Sequence, residues 1–146
     1  MSHKVEPKYE TWSELDLLIG LIVGEAGSAR YPVRLAVAHA VANRVASPCW
    51  WGRNWREVIL APKQFQCWYD DAKTSMIASE HLKPSLIWQS ARQIAVDVYA
   101  HPGATDDPSL GATHYHLDPM PHNSPFPEWA GNMTQTIRIG RYVFYR

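Results

Sequence analysis

Residues 15–24, LDLLIGLIVG, are the most apolar run of the chain, and any fold must be built around them. The run is about half the roughly 20 residues that a membrane-spanning helix needs, and it contains Asp16, so it reads as a buried helix of a packed domain. Leu15, Leu18 and Ile22 share one face, TWSE at 11–14 has the form of a capping box, and Gly27 suits a helix end. The predicted first helix therefore spans about 12–26. A second helix is predicted from Pro32, with Val33, Ala36, Val37, Ala40, Val41 and Val45 at core spacing. Its many alanines imply a close neighbour.

The rest of the chain is less periodic. Asn54 is placed to cap a short helix through Leu60, and SPCWWGRN before it is rich in helix breakers. KQFQCWYDD, 63–71, has strand or loop character. A weak helix is predicted over 72–82. A long one opens at Pro84 and Ser85, with Leu86, Ile87, Ala91, Ile94, Ala95 and Val98 facing inward. Residues 103–132 are rich in Gly, Pro, Asp, Asn and His, and a loop of that length in a compact domain is usually functional. TQTIRIGRYVFYR, 134–146, alternates as a closing β-hairpin with Gly140-Arg141 as a type II′ turn. Helices first and strands last point to an α+β fold, mainly helical with a small C-terminal hairpin or sheet. Residues 1–10 read as a loose arm, and 11–146 as one domain.

The chain's 146 residues suffice for a core with a cleft in it, and the formal charge of zero argues against nucleic acid as a partner. Seven Trp and seven Tyr suit both packing and sugar recognition. Two cysteines, Cys49 and Cys67, and a polar leader without the pattern of a secretion signal lead us to expect free thiols and a cytoplasmic site of synthesis.

Three groups are candidates for chemistry. Glu25 shares a helical face with Leu18, Leu21 and Ile22, so it points toward the core or a cleft in it. Burial and the negative end of the helix dipole both disfavour its ionised form, which suits a proton donor. A solvated helix end, or pairing with Arg30 or Arg34, is the competing reading. His114, His116 and His122, with Asp118 among them, lie in GATHYHLDPMPH. Residues two apart in an extended segment share a face, so His114 and His116 could hold zinc with Asp118 or His122 as a third ligand. Cys67 in QFQCW lacks the neighbours that activate a thiol and reads as a packed cysteine.

GEA at 24–26, AVAHAVANRV at 36–45, QFQCW at 64–68, GATHYH at 111–116, WA at 129–130 and IGRYVFY at 139–145 occur in that order. Together they resemble the catalytic domain of the spore-cortex-lytic, cell-wall hydrolase family, over about residues 14–145. The resemblance implies a lysozyme-like domain that cleaves the glycan strands of peptidoglycan as a lytic transglycosylase. Glu25 would be the essential acid, with no metal or cofactor. It further implies that Gln64, Thr113, His114 and Tyr115 bond N-acetyl groups in the cleft, while Phe65 or Trp68 packs on a sugar face.

Lytic transglycosylation needs no second carboxylate, and none of Asp70, Asp71, Asp118 and Glu128 stands in a context that singles it out. The family's last motif usually carries histidine where this chain has Tyr142, which puts a role for that side chain in doubt. A wall-lytic domain without targeting features fits a phage endolysin. Such an enzyme would be a monomer held in the cytoplasm and released to the host wall by a holin-type partner. The alternatives are a muramidase that uses water, a zinc amidase or peptidase centred on His114 and His116, and a non-catalytic glycan-binding module.

Overall fold

The computed structural model describes residues 5–102, 106–121 and 124–146. Helix α1 (Glu14–Ala26) touches the other four α-helices: α2 (Tyr31–Ala46), α3 (Trp55–Ile59), α4 (Asp71–Leu82) and α5 (Leu86–Ala100). Every residue from Leu17 to Gly24 is buried. A helix apolar on all sides must be enclosed on all sides, and this one is. Its two interior glycines set how closely. A Cβ on Gly20 would lie 3.0 Å from the Ile77 side chain and 3.1 Å from the Trp68 ring; on Gly24 it would lie 2.6 Å from the Cys67 Cβ and 2.7 Å from Ile77. Only glycine lets α4 and the turn before it sit this near the α1 backbone.

Ala36, Ala38, Ala40 and Ala42 of α2 are buried, and Pro32 lies in its first turn as expected. Asn54 caps α3 by accepting from the Glu57 amide. The C-terminal strands β1 (His114–Leu117), β2 (Gln135–Ile139) and β3 (Tyr142–Tyr145) form an antiparallel sheet in the order β1-β3-β2. Leu117 and Ile139 both pair with Tyr142, so Tyr142 stands at the corner where the sheet meets the turn. Gly140, the first turn residue, has φ +58, as a type II′ hairpin requires. The fold is α+β and mainly helical, as the order of patterns implied.

Several local expectations are corrected. The N-cap of α1 is Ser13, which accepts from the Asp16 amide, while Thr11 donates to the Lys8 carbonyl and closes a preceding 3-10 turn, Pro7–Thr11. That turn is not a loose arm: Tyr9 is fully buried and its hydroxyl donates to the Thr74 carbonyl. Residues 1–4 lie outside the described residues. Gln66–Trp68, expected as strand or loop, is a 3-10 turn, and the weak helix at 72–82 is a full α4 capped by Asp70. Leu86 and Ile87 are exposed rather than inward; Trp88 carries the inward phase of α5. The long polar segment is not all loop, since it supplies β1.

Candidate active site

Glu25 sits half-buried in the last turn of α1, and five elements meet around it. Its Oε2 accepts from the Cys67 backbone N–H at 3.0 Å, and its Oε1 accepts from the Tyr115 hydroxyl at 2.5 Å. The Glu25 carbonyl accepts from the Tyr142 hydroxyl at 2.8 Å, and the Gly24 carbonyl accepts from Lys73 Nζ at 2.8 Å. The two carbonyls at this helix end thus find donors on β3 and α4, and the carboxylate is held by one donor on each oxygen. The phase read from the sequence is correct, and the arginines do not compete for the acid. Arg34 donates to Ser90 at 2.6 Å, Arg30 is exposed at the N-cap of α2, and among the described residues no ion pair reaches Glu25.

The surroundings keep the donors in donating form. Burial, and after it the charge of Glu25, pushes the Tyr115 phenol far above its usual range; the same two causes raise Tyr142. The Cys67 thiol is raised by burial and then by Glu25, which leaves it protonated and unsuited to act as a nucleophile. Its contribution is its amide. No side-chain pattern marks a backbone N–H in advance, so this partner of Glu25 was not readable in QFQCW.

Behind Tyr115 lies a buried cation. Arg44, 4% exposed, donates from Nε to the Thr113 carbonyl at 2.7 Å and from Nη1 to Gln64 Oε1 at 3.1 Å. Its guanidinium lies 5.3 Å from the Trp51 ring centre and 5.2 Å from that of Phe65, and burial pulls its pKa down to about 10. Arg44 thereby ties Gln64 to the entry of β1. Its signal in the sequence was a cation in the inward phase of α2, in line with Val37 and Val41.

The expected sugar contacts divide accordingly. Gln64 is half-buried and spends its amide oxygen on Arg44 and its amide nitrogen on the Pro62 carbonyl. Thr113 shares a hydrogen bond with His114 Nδ1 at 2.9 Å. Tyr115 faces the acid rather than open solvent. Phe65 and Trp68 are 2% and 1% exposed, so neither offers a ring face to a sugar; Trp68 packs against Tyr9 at 5.0 Å. Aromatic residues read alike in a sequence whether they face core or ligand.

The zinc alternative does not fit the histidines. His116 Nδ1 meets the Leu117 carbonyl and its Nε2 the Tyr145 hydroxyl, both at 2.8 Å, so neither ring nitrogen has a lone pair to spare for a metal. His114 is buried against Trp51 and Trp129 with its Nδ1 on Thr113. Among the described residues no three His, Cys, Asp or Glu side chains are grouped to hold a metal; His122 lies outside them.

Comparison with known proteins gives a consistent picture. The family described as Cell Wall Hydrolase matches residues 29–145, a stretch that begins just beyond Glu25. The catalytic domain of the germination-specific lytic transglycosylase SleB from Bacillus anthracis has a similar fold. It superposes with a TM-score of 0.65 at 22% identity, over 93% of this chain and 98% of that one. The catalytic domain of Bacillus cereus SleB superposes with a TM-score of 0.67 at 23% identity, over 91% of this chain and 89% of that one. No curated protein matches the chain.

Proposed function

The chain belongs to the cell wall hydrolase family and is an enzyme that degrades cell-wall material. From this premise we propose that it is a lytic transglycosylase that cuts peptidoglycan strands between N-acetylmuramic acid and N-acetylglucosamine, with Glu25 as the only acid and base. The observation that carries the reading is the setting of Glu25. It is one half-buried carboxylate fixed by Tyr115 and the Cys67 amide, with no second carboxylate among the groups that hold it. Asp70 is spent on the N-terminus of α4, and Asp118 pairs with Arg138 at 2.7 Å on the exposed side of the sheet. Most retaining and inverting glycosidases use a second carboxylate, as nucleophile or as base for water. An attack by the substrate's own hydroxyl needs none.

In the first step, protonated Glu25 gives its proton to the glycosidic oxygen as the bond from that oxygen to the muramyl anomeric carbon breaks. In the second, the carboxylate takes the proton of the muramyl 6-hydroxyl while that oxygen bonds the anomeric carbon. The products are a 1,6-anhydro end, a free N-acetylglucosamine hydroxyl and Glu25 reset as the acid. The two carboxylate oxygens are not equivalent in this cycle. The Cys67 amide can only donate, so Oε2 accepts throughout. The Tyr115 hydroxyl both donates and accepts, so Oε1 can carry the proton and release it.

The test is Glu25→Gln, which keeps the size and both hydrogen-bonding positions. It is expected to fold as the parent does and to lose nearly all release of soluble muropeptides. Mass spectrometry of the parent's products should show anhydro-muramic ends; reducing muramic ends in their place would mean hydrolysis by water. The endolysin role expected from the sequence is proposed with this reading, and its test is whether cells that make the chain lyse only after their membrane is opened.

A further inference from the structure

Of the seven tryptophans, all described, Trp50 alone is exposed, at 67%. It is not a loose side chain. Cys49 and Gly52 close a tight turn around Trp50 and Trp51, with the Gly52 amide on the Cys49 carbonyl at 3.1 Å. Gly52 has φ +124, and a Cβ there would lie 2.7 Å from the Glu57 Cβ, so the turn rests directly on α3. Trp51 is pinned by its Nε1–H to the Arg44 carbonyl at 2.9 Å, and Trp50 stands edge-to-face with it at 5.6 Å. The two rings border an open hollow of about 580 Å³, completed by Glu10, Arg56, Glu57 and Leu60 among others.

The rim selects the ligand. Arg56 is fixed by bonds to the Glu10 and Trp12 carbonyls; Glu10 and Glu57 line the same hollow, and the Glu57 carboxylate accepts from the Arg53 amide and Asn54 Nδ2. Two carboxylates disfavour an anionic guest, whereas a ring with several hydroxyls can donate to them, accept from the guanidinium and lay its apolar face on Trp50. The hollow is joined to the acid through named contacts. Trp51 touches His114 at 5.9 Å and Arg44, Arg44 holds the Thr113 carbonyl, and β1 then carries Tyr115 to Glu25.

We propose that the Trp50–Trp51 hollow is a second sugar subsite, which binds neutral N-acetylglucosamine units of the strand away from the bond being cut. This rests on the glycan-cleaving reading, but its test does not require turnover. In the full chain carrying Glu25→Gln, the tetramer of N-acetylglucosamine is titrated while the indole N–H signals are followed by NMR. Saturable binding that shifts the Trp50 signal is expected. Adding Trp50→Ala should weaken the affinity on the order of tenfold, about what one aromatic contact supplies. Adding Leu82→Ala, which removes an exposed apolar side chain elsewhere, should leave it unchanged. No binding of the tetramer, or equal affinity with and without Trp50, would overturn the subsite. Failure of the glycan-cleaving reading would show instead as parent enzyme that releases neither anhydro nor reducing muramic ends from peptidoglycan, whatever the tetramer does.

Discussion

Gly24 and Cys67 are in such close contact that a Cβ on the glycine would come within 2.6 Å of the Cys67 Cβ and 2.9 Å of its sulfur. This approach brings the Cys67 amide to Glu25 Oε2, one residue further along α1. Packing and catalysis therefore share one constraint. Gly24→Ala is expected to push the 66–68 turn off α1, at a cost of about 1–3 kcal/mol for an overpacked core site. Activity should fall by more than the loss of folded protein explains, because the amide moves with the turn. Thermal melts alongside muropeptide release at a temperature where the variant is fully folded check this, and an active, merely less stable variant would uncouple the two.

The lead into β1 depends on Asp107. Its carboxylate accepts from Asn43 Nδ2, from the Ser109 amide and hydroxyl, and from the Gly111 amide, at 2.6–3.0 Å. Burial alone would raise its pKa, but the bonds from Asn43, Ser109 and Gly111 together hold the carboxyl below its usual value. Asp107→Ala strands these donors and should cost about 1–3 kcal/mol. Because it loosens the approach to Tyr115 without touching Glu25, urea melts should shift first, and hydrogen exchange should speed up at residues 109–113 before anywhere in α1.

The first 60 residues were largely legible because their elements follow from local rules: a 3.6-residue apolar period in α1 and α2, Pro32 in a first turn, Asn54 as a cap. Glu25 was legible through its phase within α1. What escaped was tertiary. Tyr9 lies in a polar leader with no period, yet one long-range contact with Thr74 fixes it in the core. Phe65 and Trp68 look like sugar platforms as residue types and are buried, Trp68 against Gly20 of α1 and Phe65 beside the Arg44 guanidinium. The start of α5 misled because Leu86 and Ile87 precede the residue that reaches the core, Trp88. Tyr115 was identified as part of the site, but the bond of its hydroxyl to Glu25 was not readable from its motif.

His114 makes stability depend on pH in a defined window. Burial, and then the charge of Arg44, lowers its pKa from 6.5 to about 4. A group with a depressed folded pKa is neutral in the native state while the unfolded chain already takes up the proton. Its contribution is therefore complete above pH 6.5, declines as pH falls toward about 4, and is lost below that. His114→Phe keeps a ring against Trp51 and Trp129 and removes the proton site. The melting temperature of the parent should drop more steeply than that of the variant between these two pH values, and the two curves should run parallel above pH 7. Identical slopes throughout would show that His114 does not titrate with folding.

Tyr115 is the residue whose loss separates holding the acid from being the acid. It is half-buried in the site with its hydroxyl on Glu25 Oε1, and desolvation of that hydroxyl together with the Glu25 charge keeps it protonated. Tyr115→Phe retains the ring that packs 5.6 Å from Phe144 and removes only the bond to the carboxylate. The Cys67 amide then holds Glu25 by one oxygen alone, and the carboxyl is free to rotate away from the line between proton and glycosidic oxygen. On peptidoglycan fragments of defined length, kcat is expected to fall on the order of a hundredfold, as for a small misplacement of a reacting group, while KM changes little. Glu25→Gln and the double variant should be equally inactive, because with the acid gone there is nothing left for Tyr115 to orient. A Tyr115→Phe enzyme with unchanged kcat and a raised KM would instead make Tyr115 a sugar contact, the role its motif first implied.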